Sequence, residues 1–225
     1  MSLQALKERL QPSPGEFTRR LLADPEVKSV LDIGCGKHSY VSPFRPRIRT
    51  VGLDAFEGAI ETSKKRGLHD DYIHANIIES SAETIIDKSG GKKFDLVALF
   101  DVIEHLPKKL GWELLEKCEQ LTNRYIILQT PNGFLEQGPE DENIYQRHLS
   151  GWFAWEFESL GYKVAGSAGT RFFHGYAGEF KWKFPGVKMA DFGLGLLLNL
   201  EQNPKHAFNL MAWKDVRGVP ARLRY

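Results

Sequence analysis

Leu31-Asp32-Ile33-Gly34-Cys35-Gly36 is the stretch that decides the fold. Residues suited to a buried strand run into two glycines with one residue between them, a way for a chain to turn from strand toward helix while leaving its backbone open to a ligand. A Gly-x-Gly alone also suits an ordinary turn. Further along, Gly52-Leu53-Asp54 ends a second apolar run with an acid. An acid at the carboxyl edge of a sheet can accept both ribose hydroxyls of a nucleoside, and its charge repels a 2′-phosphate. Alone it reads equally as a loop acid or helix cap. Together, the turn and the acid favour a nucleoside site.

Working outward, apolar β-branched runs predict strands over 29–33, 49–53, 71–74, 94–100 and 125–129, and amphipathic stretches predict helices over 58–66, 82–88 and 108–121. Leu96-Val97-Ala98-Leu99 and Tyr125-Ile126-Ile127-Leu128 do not alternate with polar residues, so helices should cover both faces of those strands. Such alternation of elements is that of an α/β, doubly wound, mostly parallel sheet.

Upstream, Leu3, Leu6 and Leu10 recur at helical spacing, Pro12 and Pro14 interrupt it, and a second helix is expected over 16–23. Downstream, a helix over 149–160 stopped by Gly161, a strand over 162–165 and a last strand over 207–213 are expected. The chain thus reads as one domain, 1–225: N-terminal helices in 1–25, a core in 26–166, an insertion in 166–205, and the last strand and tail in 206–225. The insertion carries Phe172, Phe173, His174, Tyr176, Phe180, Trp182 and Phe184. Extra core or a homodimer contact is its ordinary explanation, with a substrate lid as the alternative.

Thirty basic and 29 acidic side chains leave a net charge of +1, so no global field holds a polyanion and nucleic acid is not an implied partner. The two cysteines, Cys35 and Cys118, suit a reducing cytoplasm. Charges near the N-terminus argue against a signal peptide. The longest apolar run, 192–200, is too short to span a bilayer.

With these blocks in place, Leu31 to Gly36 resembles motif I of the class I S-adenosylmethionine-dependent methyltransferases, and Asp54 matches the ribose-binding acid of that family. Ala75-Asn76-Ile77 sits where a Gly-Asp or Ala-Asp pair usually faces adenine. Phe94-Asp95-Leu96-Val97 through Asp101-Val102-Ile103-Glu104-His105-Leu106 is similar to the strand-four block of its small-molecule members, and Ile127 to Gly133 to their strand-five end. Arg147-His148-Leu149-Ser150 and Leu160 to Val164 extend the likeness, which covers 26–166. It implies a Rossmann-like sheet of seven strands with the last antiparallel, S-adenosyl-L-methionine as cofactor, and a small-molecule acceptor. It also implies cofactor contacts from Asp32, Gly34, Cys35, Gly36, Asp54, Ala55, Asn76, Ile77 and Phe100.

Two positions depart from the family pattern. His38 stands where a third glycine is common, so the first helix should be altered or shortened, in keeping with Pro43 and Pro46. Asn76 replaces the usual acid near adenine. Glycine spacing and the later blocks disfavour a nicotinamide-dependent oxidoreductase; a non-catalytic cofactor-binding protein is the other alternative. Methyl transfer from a sulfonium needs chiefly a positioned acceptor, and a hydroxyl acceptor also needs a base. His105, Asp101 and His148 are the candidates, each equally readable as structural, with His148 and Tyr145 at the rim of the acceptor pocket and His38 within reach of the methionine end. None of the candidates has the spacing of a metal set, and no metal is expected.

Overall fold

The computed structural model describes residues 13–138 and 143–218. The expected helix around Leu3 to Leu10, and residues 219–225 of the tail, lie outside them. The first described helix, α1, is Pro14–Leu22. Ser13 caps it by accepting from the Glu16 amide, and Pro14 fills the first position, where no backbone donor is needed. Next come β1 (Ser29–Ile33), β2 (Arg49–Asp54), α2 (Glu57–Lys65), β3 (Asp71–His74), α3 (Ala82–Lys88), β4 (Phe94–Phe100), α4 (Lys108–Leu121) and β5 (Thr122–Pro131). The chain ends with α5 (Ala154–Ser159), β6 (Lys163–Thr170), α6 (Val187–Leu197) and β7 (Ala207–Asp215).

The seven strands form one sheet in the order β3-β2-β1-β4-β5-β7-β6. Pairing from β3 to β5 is parallel, and β7 runs antiparallel to both β5 and β6. The expected Rossmann-like sheet, with the last strand inserted antiparallel, is the observed one. Strand order reverses between β1 and β4, where an open α/β sheet parts its connections and leaves a crevice at the strands' carboxyl ends.

Both faces are covered, as the unbroken apolar runs required. On one side Leu31, Ile33, Val97 and Leu99 pack with Leu114, Leu115 and Cys118 of α4 and with Trp152. On the other, Val30, Leu96, Ala98 and Ile127 pack with Phe17 and Leu22 of α1. Side chains alternate between faces along each strand, and this decides which motif residues can reach the crevice.

Two local readings need correction, and a third is met. The helix expected over 149–160 is only α5, because the preceding residues form an extended segment in which Trp152 bridges Asn132 and Gly133. Between β1 and β2 the first helix is reduced to the short turn Ser42–Phe44, as His38 and the two prolines foreshadowed. In the insertion, Phe173 is buried but Phe172, Tyr176, Trp182 and Phe184 are exposed, so the extra-core reading fails for most of its aromatic residues.

Candidate active site

Gly34 and Gly36 both adopt left-handed backbone, φ +67° and +51°, which only glycine adopts without strain. A Cβ on Gly34 would also lie 2.5 Å from Cγ2 of Val102, so the turn after β1 and the segment after β4 press together there. The Gly34 and Cys35 amides donate to the Leu53 carbonyl at 2.7 and 3.1 Å, and the Gly36 amide donates to Oδ2 of Asp54 at 3.0 Å. Oδ1 of Asp54 accepts from the Phe56 amide at 2.9 Å. Turn and acid are therefore one hydrogen-bonded unit.

This unit forms one wall of a cavity of about 490 Å³ at the carboxyl ends of β1, β2 and β4. Gly34, Gly36, Asp54, Ala55, Asn76 and Ile77 line it, as do His38, Asp101, His105 and Tyr145. Sequence reasoning missed Lys37, Phe56, Val102 and Glu79, which also line it; a motif marks conserved chemistry and says little about a wall's remaining atoms. Asn76 keeps its amide within its own loop, accepting from the Ile78 amide at 3.0 Å and donating to Glu79 at 2.9 Å.

Three predicted cofactor residues do not line the cavity. Asp32 shares the face of Val30, away from Ile33; it is buried, and its Oδ2 meets the Ser39 hydroxyl at 2.8 Å and Nε2 of His69 at 3.0 Å. Cys35 is buried behind the turn, where a Cβ on Gly52 would come within 2.9 Å of both its Sγ and Nδ1 of His69. Phe100 lies on the α1 face with Leu96 and Ala98 and meets the Tyr40 ring edge-on at 4.8 Å. Asp32 and Cys35 brace the turn from below. His69, the buried partner of Asp32, lies in no motif, and nothing local in the sequence marks it.

At the end of β4, Asp101 has φ +54°, a conformation that costs a non-glycine residue about 1–2 kcal/mol. Gln129 compensates: its side-chain amide donates to both carboxylate oxygens at 2.9 Å, and its backbone carbonyl accepts from the Asp101 amide. Asp101 is open to solvent on the cavity side, and the protein packed around its carboxyl still raises it above its ordinary range. Burial, and then the charge of Asp101, hold Glu104 well above its own.

His105 follows in the turn Ile103–His105. Its Nδ1 faces the Arg147 carbonyl at 3.2 Å and its ring centroid lies 4.7 Å from that of His148. Burial and then His148 lower its pKa to about 4, which keeps the ring neutral but makes it a weaker base than one matched to neutral pH. His148 was expected at the rim; instead it is buried outside the cavity, with Nδ1 at 2.7 Å from the Leu135 carbonyl. The amides of Leu149 and Ser150 donate to the Glu104 carbonyl at 2.8 and 3.0 Å, which straps the loop after β5 onto the end of β4.

A second cavity, about 270 Å³, lies beyond this loop between Pro131, Phe134, Arg171, His174, Tyr176 and Phe208. The insertion contributes to this cavity and not to the first. Among the described residues, no helix is long and apolar enough to cross a membrane.

Comparison with known proteins agrees with this geometry. A SAM-dependent methyltransferase from Archaeoglobus fulgidus superposes with a TM-score of 0.56 at 18% identity, covering 95% of this chain and 100% of that one. The N-terminal domain of EvdMO1, with SAH bound, gives 0.53 at 17% identity over 69% and 76% of the two chains. The plantazolicin methyltransferase BpumL, in complex with a triazolic desmethylPZN analog and SAH, gives 0.52 at 22% over 94% and 88%. At these identities the likeness establishes the fold alone. Among curated proteins nothing matches significantly. The family model for a methyltransferase domain matches residues 6–164, so the chain belongs to the methyltransferase-domain family, the class I S-adenosylmethionine-dependent methyltransferases that its motifs resemble.

Proposed function

We propose that the chain transfers the methyl group of S-adenosylmethionine to an oxygen of a small or medium-sized acceptor. The observation that carries the donor half is the hydrogen-bonded unit of Gly36 and Asp54 at the cavity wall. Asp54 spends one backbone contact on each oxygen, leaving further lone pairs for the ribose hydroxyls. Since Asn76 is engaged in its own loop, the apolar side chains of Ala75, Ile77, Ile78 and Leu110 are what the adenine would meet.

Asp101, His105 and Tyr145 form the side toward the acceptor. An acceptor oxygen attacks the methyl carbon in line, the C–S bond breaks with its electron pair going to sulfur, and the proton of a hydroxyl acceptor leaves to a base or to water. We place the enzyme in the cytoplasm, where a reducing medium would keep its two buried cysteines as thiols. The exposed aromatic side chains of 172–184 support self-association through the insertion, which sedimentation of the purified protein checks.

Incubation with methyl-labelled S-adenosylmethionine and a fractionated cell extract tests this reading. Label in a small molecule whose new carbon has the chemical shift of an O-methyl group supports it. Label confined to protein or nucleic acid, or found on nitrogen or sulfur, overturns the acceptor assignment.

A further inference from the structure

The second cavity lies between two walls, none of whose residues lines the first. One wall is a short hairpin of the insertion, in which the Gly175 amide donates to the Glu179 carbonyl and the Lys181 amide to the Phe173 carbonyl, both at 2.8 Å. The hairpin is fixed through His174: its Nδ1 lies 2.9 Å from the Thr170 carbonyl, and its ring packs against those of Phe180 and Phe208 at 4.5 and 4.3 Å. The end of β5 and the segment after it, Pro131 to Glu136, form the other wall.

Positive charge collects in this space with no protein anion set against it. Arg171 and Lys181 both line it, and among the described residues neither side chain has an ion pair or a hydrogen bond with a protein group. Glu136, the acid on the opposite wall, pairs with neither. The Arg171 guanidinium is nonetheless placed: a Cβ on Gly133 would come within 2.5 Å of its Nη1 and 3.0 Å of its Nη2. Gly133 has φ +82°, so backbone and space both call for glycine beneath the guanidinium. Tyr176 adds a hydroxyl whose oxygen accepts from the Gly138 amide at 3.3 Å, which leaves its hydrogen to donate.

We propose that this cavity binds the carboxylate or phosphate group of a small organic anion, with Arg171 as the principal anchor and Lys181 and the Tyr176 hydroxyl as further donors. A guanidinium presents paired N–H groups that match two oxygens of either head group. Seated against Gly133, it has already lost part of the freedom that binding would otherwise cost. Phe134 and Phe208 line the same space and offer apolar surface to the body of the ligand, which a bare inorganic ion would leave unused. The volume of about 270 Å³ holds a head group together with one ring. Because the donor cavity lies on the far side of the loop after β5, this inference stands apart from the methyl-transfer reading.

Calorimetric titration of the full chain with phenyl phosphate, benzoate and inorganic phosphate tests the proposal, with benzyl alcohol as the uncharged control. One site per chain is expected for phenyl phosphate or benzoate, the tighter of the two naming the head group, and saturating S-adenosylhomocysteine should displace neither. Inorganic phosphate, which lacks the ring, and benzyl alcohol, which lacks the charge, should each bind at least about tenfold more weakly. Arg171→Met should weaken the anion by about tenfold or more and Lys181→Met by up to about fivefold. Both side chains are exposed, and circular dichroism checks that the variants fold; should Arg171→Met not fold, the comparison with benzyl alcohol decides. No saturable binding of either organic anion, equal binding of benzyl alcohol or of inorganic phosphate, or unchanged affinity in folded Arg171→Met overturns the proposal. Displacement by S-adenosylhomocysteine overturns it too, since the anion would then sit in the donor cavity.

Discussion

The Gly36 amide donates to Oδ2 of Asp54 at 3.0 Å, so the residue that opens the backbone and the residue meant for the ribose hold each other in place. Asp54→Asn keeps the shape but removes the charge. Charge-assisted hydrogen bonds contribute about 1.5–3 kcal/mol each, so the variant should bind S-adenosylhomocysteine at least about tenfold more weakly. Calorimetric titration checks this, and unchanged affinity would separate Asp54 from the cofactor.

The same carboxyl gives a pH signature. Burial raises the Asp54 pKa despite opposing backbone hydrogen bonds. The ribose hydroxyls need the ionised form as acceptor, so affinity should be full above the raised pKa. It should fall as the medium is acidified, at a higher pH than the ordinary value of about 3.9 would dictate. The Asp54→Asn variant should lack this acid limb; a limb of equal size in the variant would assign the titration to another group.

Beneath the turn, His69 and Asp32 form a buried pair at 3.0 Å. Removing one partner of such a pair costs about 3–5 kcal/mol, so His69→Ala should lower the melting temperature by roughly 6–20 °C for a chain of this size. Because neither side chain lines the cavity, Asp32→Asn should lose more stability than cofactor affinity when both are measured below the transition. The opposite pattern would return Asp32 to the cofactor site.

Gly34→Ala meets two separate obstacles, its φ of +67° and the Val102 side chain 2.5 Å from the new Cβ. Adding Val102→Ala removes the clash but not the backbone cost of about 1–2 kcal/mol. The double variant should therefore recover part, not all, of the stability and cofactor affinity lost in the single one. Full recovery would show that the backbone conformation carries no cost.

Gly34, Gly36 and Asp54 were readable because their spacing encodes a backbone turn and a partner one strand away. Asp32 and Phe100, read as cofactor contacts, lie off the cavity for a single reason: side chains alternate along β1 and β4, and with both faces of each strand buried, the polarity pattern does not say which face meets the cavity. In the structure Asp32 turns to Ser39 and His69 and Phe100 to the α1 face, leaving Ile33 and Asp101 at the site. His69 and Asp32 meet across 37 positions, and Glu104 meets His148 only because the loop after β5 is strapped back. Such contacts belong to the fold and leave no local mark in the chain. The 149–160 helix failed where Trp152 is held in the core, stacked on Phe157 and edge-on to Trp112; tertiary packing overrode a helical pattern there.

The central claim is that this cavity binds the methyl donor. Isothermal titration of the purified chain with S-adenosylhomocysteine, and separately with NADH, tests it most directly. The account predicts one S-adenosylhomocysteine per chain, weakened in Asp54→Asn, and no NADH binding. Saturable NADH binding without S-adenosylhomocysteine binding would contradict it.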